Sequence, residues 1–121
     1  AITMFQVLEH LKFRDVVEVF GEVRRVLAPG GVFIAEVPNL STLRVGASTF
    51  WIDPTHERPL HPLLLEFLAE QSGFSAVSRI ESNPLVPMPD LGDFPPELSA
   101  IVTSLHSAIN GPGDFALIAR A

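Results

Sequence analysis

The sequence contains no cysteine. A disulfide framework and a thiolate metal site are thereby excluded, and a reducing compartment is compatible with the composition. No apolar run approaches the ~18 residues that a membrane-spanning helix requires, and no secretory signal pattern is visible. A cytoplasmic location without membrane contact is the expectation. Basic residues are few: eight Lys and Arg stand against fourteen Asp and Glu, for a net charge of −6. They form no cluster, so a nucleic-acid partner bound through its phosphates is not expected. Gly-x-Ser-x-Gly is missing too, which removes the support for a serine-hydrolase reading with His56 as base. No internal repeat is present.

What the chain does have is apolar content. Hydrophobic residues make up 47% of 121 positions, enough for a packed core in one small domain or a piece of a larger one. The chain opens on Ala1 and runs straight into an apolar segment, as a cut inside a domain would. Residues 2–8 (ITMFQVL) are short, apolar and rich in strand formers, and predict a buried strand. The period then changes. Val16, Val19, Phe20, Val23 and Leu27 share one helical face over 15–27, with Asp15 as N-cap and Glu18 completing a capping box. Pro29-Gly30-Gly31 ends that helix, and 32–37 (VFIAEV) predict a second buried strand stopped by Pro38-Asn39. Strand, helix, tight turn and strand make a βαβ unit with a parallel pair.

Residues 40–60 show no period and predict a long loop with room for a turn of helix. A helix over 62–72 follows, with Pro62 at its first position, Leu64, Leu65 and Leu68 on one face, and Gly73 as the left-handed residue after it. Residues 75–82 predict a strand. Residues 83–96 hold Pro84, Pro87, Pro89, Pro95 and Pro96 and predict an extended connection. Leu98, Ile101, Val102, Leu105 and Ile109 put an apolar stripe on a helix over 97–109, and 114–120 close the chain as a strand. His106 lies outside that stripe and is expected to be exposed.

Two stretches resemble a known family. FQVLEHL at 5–11, then the helix, then RVLAPGGVFIAEVPN at 25–39, are similar to the fourth strand, following helix and fifth strand of class I S-adenosylmethionine-dependent methyltransferases of the broad methyltransferase-11/12 type. DPTHERPLHP at 53–62, with Gly73-Phe74 beyond, resembles a subgroup common in bacterial cell-surface sugar pathways. The resemblance covers about residues 1–82 well and 114–121 loosely. It implies a partial Rossmann-like sheet, corresponding to the fourth to seventh strands, with flanking helices and an antiparallel last strand. The 32–37 strand would lie between the first strand and the final pair, and about 83–113 would be an insertion. The family's glycine-rich loop and the acidic residue that holds the cofactor ribose do not occur here. The Gly30-Gly31 pair precedes a strand and does not link a strand to a helix, so it cannot take their place. The resemblance therefore implies the C-terminal, substrate-side half of the domain, with only the edge of the S-adenosylmethionine pocket.

Glu9 and His10 follow the first strand, where ligands bind in open α/β sheets. They either shape the turn or meet a ligand. By the resemblance, Gln6, Leu8, Glu9 and His10 line the cofactor's methionine side, and Val7 is plain core. Some relatives bind a divalent metal through a carboxylate-x-x-carboxylate-His pattern at this place. Gln6 stands where the first carboxylate would be, and no metal is expected. Asp53, His56, Glu57, Arg58 and His61 are the densest polar cluster. Methyl transfer to oxygen or nitrogen needs a base, so His56 or His61 is the candidate, with Asp53 orienting one of them. Asp53, His56 and His61 offer metal-ligand types, but their spacing matches no zinc pattern. Arg58 could hold an anion or simply pair with Glu57 or Glu66. Asn39 either contacts substrate or caps a turn. Trp51, with Phe50, either stacks on a sugar or plugs the loop.

The expected function is methyl transfer from S-adenosylmethionine to a small acceptor, a sugar or sugar nucleotide, once this chain is joined to the missing half. Alone it is expected to be inactive. The alternative is a non-catalytic, methyltransferase-like interaction module. A bare apolar edge on the first strand predicts self-association.

Overall fold

The computed structural model describes all 121 residues. Four strands form one mixed sheet in the order β1-β2-β4-β3. β1 (Ile2–Phe5) runs parallel to β2 (Val32–Pro38), and β2 and β3 (Ala76–Pro84) each pair antiparallel with β4 (Pro112–Arg120). This is the order the resemblance implied.

β1 is shorter than the apolar run predicts. Gln6 takes a φ of 53°, which breaks the strand, and a 3-10 turn over Leu8–His10 follows. Leu8 drops fully into the core, while Val7, expected there, is 40% exposed. β2 alternates buried and half-buried residues along its length. Phe33, Ala35 and Val37 face the core opposite Ala119, Leu117 and Phe115 of β4, all six fully buried. Val32, Ile34 and Glu36 on the other face are only half-buried, so the strand is not buried on both faces as its composition predicts.

α1 (Phe13–Val26) buries Val16, Phe20 and Val23 against that sheet face. It begins three positions earlier than the capping box predicts. Lys12 is the N-cap and gives no side-chain bond. Asp15 lies instead in the first turn, where its charge suits the positive helix end. Glu18 pairs with Arg14 in the open, at 3.0 Å. The Pro29 turn holds because Gly30 has a φ of 76° and a Cβ on Gly31 would sit 2.8 Å from the Ala28 carbonyl oxygen.

α3 (Pro62–Gln71) adds Leu65, Leu68 and Ala69 to the same core. Gly73, at φ 87°, turns the chain so that the Phe74 N–H donates to the Ala69 carbonyl at 3.2 Å. Phe74 then stacks on Phe33 at 6.1 Å, and Phe20 meets Phe33 edge-on at 5.5 Å. Each fully buried aromatic contributes about 1.5–3 kcal/mol of transfer free energy. Between β2 and α3 lie α2 (Leu43–Ala47) and a 3-10 turn over Thr49–Ile52, two short helical pieces in the predicted loop.

α4 (Pro96–Asn110) departs most from expectation. It has no buried residue. Leu98, Ile101, Leu105 and Ile109 of the predicted stripe are each at least 40% exposed. Val102, His106 and Asn110 are the half-buried side. His106, expected to be exposed, has its Nε2 buried without a partner. The helix contacts α2 at the end of the sheet and does not lie over the core face.

Candidate functional site

The site lies beyond the carboxyl ends of β1 and β2, where a parallel pair leaves room for a ligand. Its foundation is backbone. The Glu9 carbonyl accepts from the Glu57 N–H at 2.8 Å and from the Arg58 N–H at 3.5 Å. The loop that carries the 53–58 residues is thereby fastened to the 3-10 turn after β1.

This fastening brings His56 against His10, with ring centroids 4.8 Å apart. Glu9 lies beside them. Its side chain is fully buried, and neither carboxylate oxygen has a hydrogen-bond partner. Burial pushes the Glu9 carboxyl up from its ordinary value, with its own backbone amide and then the His10 and His56 imidazoles pulling against it and Asp114 adding a little upward push. His10 Nε2 is 3.9 Å from Glu9 Oε1.

The two imidazoles are oriented from behind. Asp53 Oδ1 accepts from the Thr55 hydroxyl at 2.6 Å and from the Thr55 N–H at 2.8 Å. The Thr55 hydroxyl, its proton directed at Asp53, accepts from His10 Nδ1 at 2.9 Å, and the Thr55 carbonyl lies 3.2 Å from the same nitrogen. His56 Nδ1 donates to the Phe50 carbonyl at 2.7 Å, with its ring tilted over Phe50 at 4.5 Å. Both histidines thus carry their proton on Nδ1 and hold an Nε2 lone pair free. The Thr55 bonds hold the Asp53 carboxyl below its ordinary range, and Asp53 Oδ2 lies 3.9 Å from His56 Nε2.

His56 also lines a cavity of about 180 Å³. Pro38 from β2, Phe50, Asn83 and Asp114 share its wall. Asp114 is fixed from both sides: Gln6 Nε2 donates to Oδ1 at 3.1 Å and Asn83 Nδ2 to Oδ2 at 2.7 Å. Gln6 and Asn83 are the only non-glycine residues with positive φ, so both backbone kinks converge on this carboxylate.

Other residues singled out from the sequence stand elsewhere. His61 is the N-cap of α3, its Nδ1 accepting from the Leu63 N–H at 3.2 Å, and it is exposed. Asn39 is buried and caps its turn through the Ser41 N–H at 3.1 Å. The Arg58 guanidinium lies over the Phe13 ring at 4.4 Å, while Glu66 pairs with Arg79 at 3.4 Å. Leu8 contributes its side chain to the core. Trp51 is 61% exposed and held through Nε1 to the Gly46 carbonyl, whereas Phe50 is the buried plug of that pair. Thr55, Asn83 and Asp114 escaped the sequence reading. The one signal for Asp114 is a charge at the head of an otherwise apolar closing strand.

Comparison with known proteins bears on the fold. Residues 1–35 match the model of a methyltransferase domain family. A solved S-adenosylmethionine-dependent methyltransferase of Archaeoglobus fulgidus superposes with a TM-score of 0.81 over 98% of this chain, at 26% identity. In sequence over its first part and in fold throughout, the chain is similar to class I S-adenosylmethionine-dependent methyltransferases. A probable S-adenosylmethionine-dependent methyltransferase of Mycolicibacterium smegmatis is 41% identical over 73 residues, or 60% of this chain. Phosphoethanolamine N-methyltransferase 2 of Haemonchus contortus, solved with S-adenosyl-L-methionine, shares the fold alone, with a TM-score of 0.58 at 14% identity. The chain spans 27% of the Mycolicibacterium relative and 57% of the Archaeoglobus one.

Proposed function

We propose that this chain supplies the acceptor side of methyl transfer from S-adenosylmethionine to a small hydroxyl-bearing molecule, a sugar or sugar nucleotide. The glycine-rich loop that grips the cofactor would come from further polypeptide. The observation that carries this reading is His56: its Nε2 lone pair is free, its Nδ1 is fixed by a backbone carbonyl, and it opens on the cavity at the carboxyl ends of the parallel strands. Methyl transfer is an in-line displacement at the sulfonium carbon, so holding acceptor and methyl group in line supplies most of the rate. What remains is the acceptor's proton. The cluster of Glu9, His10 and His56 is a set of lone pairs without donors, and His56 is its member nearest an incoming hydroxyl. Asp53 acts through Thr55 as a positioning residue for His10. The exposed Trp51 is available to stack on a sugar face.

No helix is long and apolar enough to cross a membrane, and we infer a cytoplasmic setting. The outer edge of β1 has no partner strand, and we infer self-association through it. The runner-up function, a non-catalytic module, would use the same edge.

The test is methyl transfer from labelled S-adenosylmethionine by a polypeptide that includes a glycine-rich loop. His56→Ala should lower the rate roughly 10²–10⁴-fold, as expected for a group that takes a proton in the transition state. An unchanged rate ends the assignment. Calorimetric titration of these 121 residues alone should give no saturable heat with S-adenosylmethionine. Tight binding would show that the half-sheet makes a complete pocket.

A further inference from the structure

We infer that Asp114 determines which acceptor enters the cavity, and that it selects a molecule carrying a protonated amino group beside the hydroxyl to be methylated, as an amino sugar does. This rests on the reading of the cavity as the acceptor site. The size of the cavity, the charge of its wall and the way the carboxylate is held lead to it.

The cavity measures about 180 Å³. Pockets that enclose drug-sized ligands begin at roughly 300 Å³, so this one takes a single ring or a short head group.

Its wall is rich in acceptors and poor in donors. None of the nine residues that line it is Lys or Arg, and Asp114 is the one carboxylate among them. Pro38 has no N–H to give. His56 Nδ1 is committed to the Phe50 carbonyl, so His56 offers the cavity a lone pair. An entering phosphate or carboxylate would meet a like charge on Asp114 and no cation to pair with.

Asp114 is also held in place without being neutralised. Gln6 Nε2 donates to Oδ1 at 3.1 Å and Asn83 Nδ2 to Oδ2 at 2.7 Å. Both donors are uncharged amides, and Asp114 joins none of the ion pairs of the chain. Tying the ends of β1 and β3 to β4 accounts for one lone pair on each oxygen. A second lone pair remains on each, together with the charge. An ammonium group supplies up to three hydrogens and the missing positive charge, in the strongest class of hydrogen bond a carboxylate makes. Asp114 and His56 share the wall of a cavity one ring wide, so a ring anchored on the one has its neighbouring hydroxyl within reach of the other. The phosphates of a sugar nucleotide stay outside on this arrangement.

Glucosamine, glucose and glucuronate are the probes: one ring in cationic, neutral and anionic form. They are titrated into the 121-residue chain, labelled with nitrogen-15, and followed by the amide signals of His56, Asn83 and Asp114. Glucosamine should bind roughly tenfold more tightly than glucose, the gain expected of a charged hydrogen bond, and glucuronate should move none of these signals. Asp114→Asn keeps the side-chain size and should bring glucosamine down to the affinity of glucose. Asp93→Asn removes the same charge at an exposed position outside the wall and should keep the parent's order. The dispersion of each spectrum establishes that the variant is folded, and the order of the three ligands in the parent is a test that needs no variant. The inference is overturned if glucose or glucuronate binds as tightly as glucosamine, if none of the three binds at tens of millimolar, or if folded Asp114→Asn keeps the parent's preference. The titrations contain no S-adenosylmethionine. Selection of glucosamine alongside a failed methyl-transfer assay would sink the proposed activity and leave the charge selection standing, whereas methyl transfer to neutral or anionic sugars alone would do the reverse.

Discussion

α1 and α4 carry the same kind of pattern and meet opposite fates. In α1, Val16, Phe20 and Val23 are buried in the core. In α4, Leu98, Ile101, Leu105 and Ile109 face outward, and half-buried Val102, His106 and Asn110 face in. The difference lies in how each helix is tied. α1 joins two adjacent parallel strands through the short Pro29-Gly30-Gly31 turn, so its apolar face has nowhere to lie except on the sheet. α4 hangs on a proline-bearing connection between antiparallel strands that pair with each other along nearly their whole length, and it docks at the end of the sheet beside α2. A helical stripe therefore identifies a face that needs cover. What covers it depends on the connections at either end.

The comparison is broken most directly at Phe20. It is fully buried and packs edge-on against Phe33. Phe20→Ala should lower stability by about 3–5 kcal/mol, the usual cost of emptying an aromatic site in a core. Denaturant unfolding followed by circular dichroism measures it. A loss below 1 kcal/mol would mean that α1 is no better seated than α4.

Much of this architecture could be read beforehand, for a physical reason. β1, α1 and β2 are set by local periodicity and by turn residues whose chemistry is specific, and the left-handed Gly73 with Phe74 folding back behaves as its sequence predicts. The order of the strands came from the family resemblance, since periodicity carries no strand order. The candidate site was legible by residue type and not by grouping. Glu9 and His10 read as one feature, and Asp53, His56 and His61 as another. The structure divides the second group and gives His56 to the first, because the Glu9 carbonyl binds the Glu57 and Arg58 amides. A long-range backbone bond leaves no trace in spacing, and neither does the Gln6–Asp114–Asn83 clasp. The outward stripe of α4 was illegible because amphipathicity does not name a partner.

Glu9 tests the same contrast between what is covered and what is satisfied. It is buried like Phe20 yet unpartnered. Glu9→Gln should raise stability by about 1 kcal/mol at neutral pH, since it removes a buried charge that its neighbours offset only in part. The sign follows from the direction of the shift. Burial raises the Glu9 pKa above its ordinary 4.5, so the folded protein holds more protons than the unfolded chain between 4.5 and the raised value. Stability falls as pH rises through that interval, and the Glu9→Gln gain appears over the same interval. Below pH 4.5 both states are protonated and the two proteins should unfold alike. A parent that is more stable than Glu9→Gln at neutral pH would show that the carboxylate is fully compensated in the fold.

The smallest effect belongs to α4. Leu105 is 57% exposed. In dilute solution Leu105→Ala should change stability by no more than about 0.5 kcal/mol, the ordinary range for surface positions. The result must be independent of protein concentration if the stripe has no cover in this chain. If copies of the chain bury it against each other, the parent's melting temperature should climb with concentration while that of Leu105→Ala climbs less. Thermal melts across a hundredfold range of concentration, with light scattering for mass, distinguish the two. Assembly through the β1 edge alone would make parent and variant climb together, because Leu105 belongs to α4, which links β3 to β4 on the far side of the sheet order from β1. A dilute, monomeric Leu105→Ala that loses as much stability as Phe20→Ala would mean that the stripe is packed within the chain after all, and the contrast between the two helices would be gone.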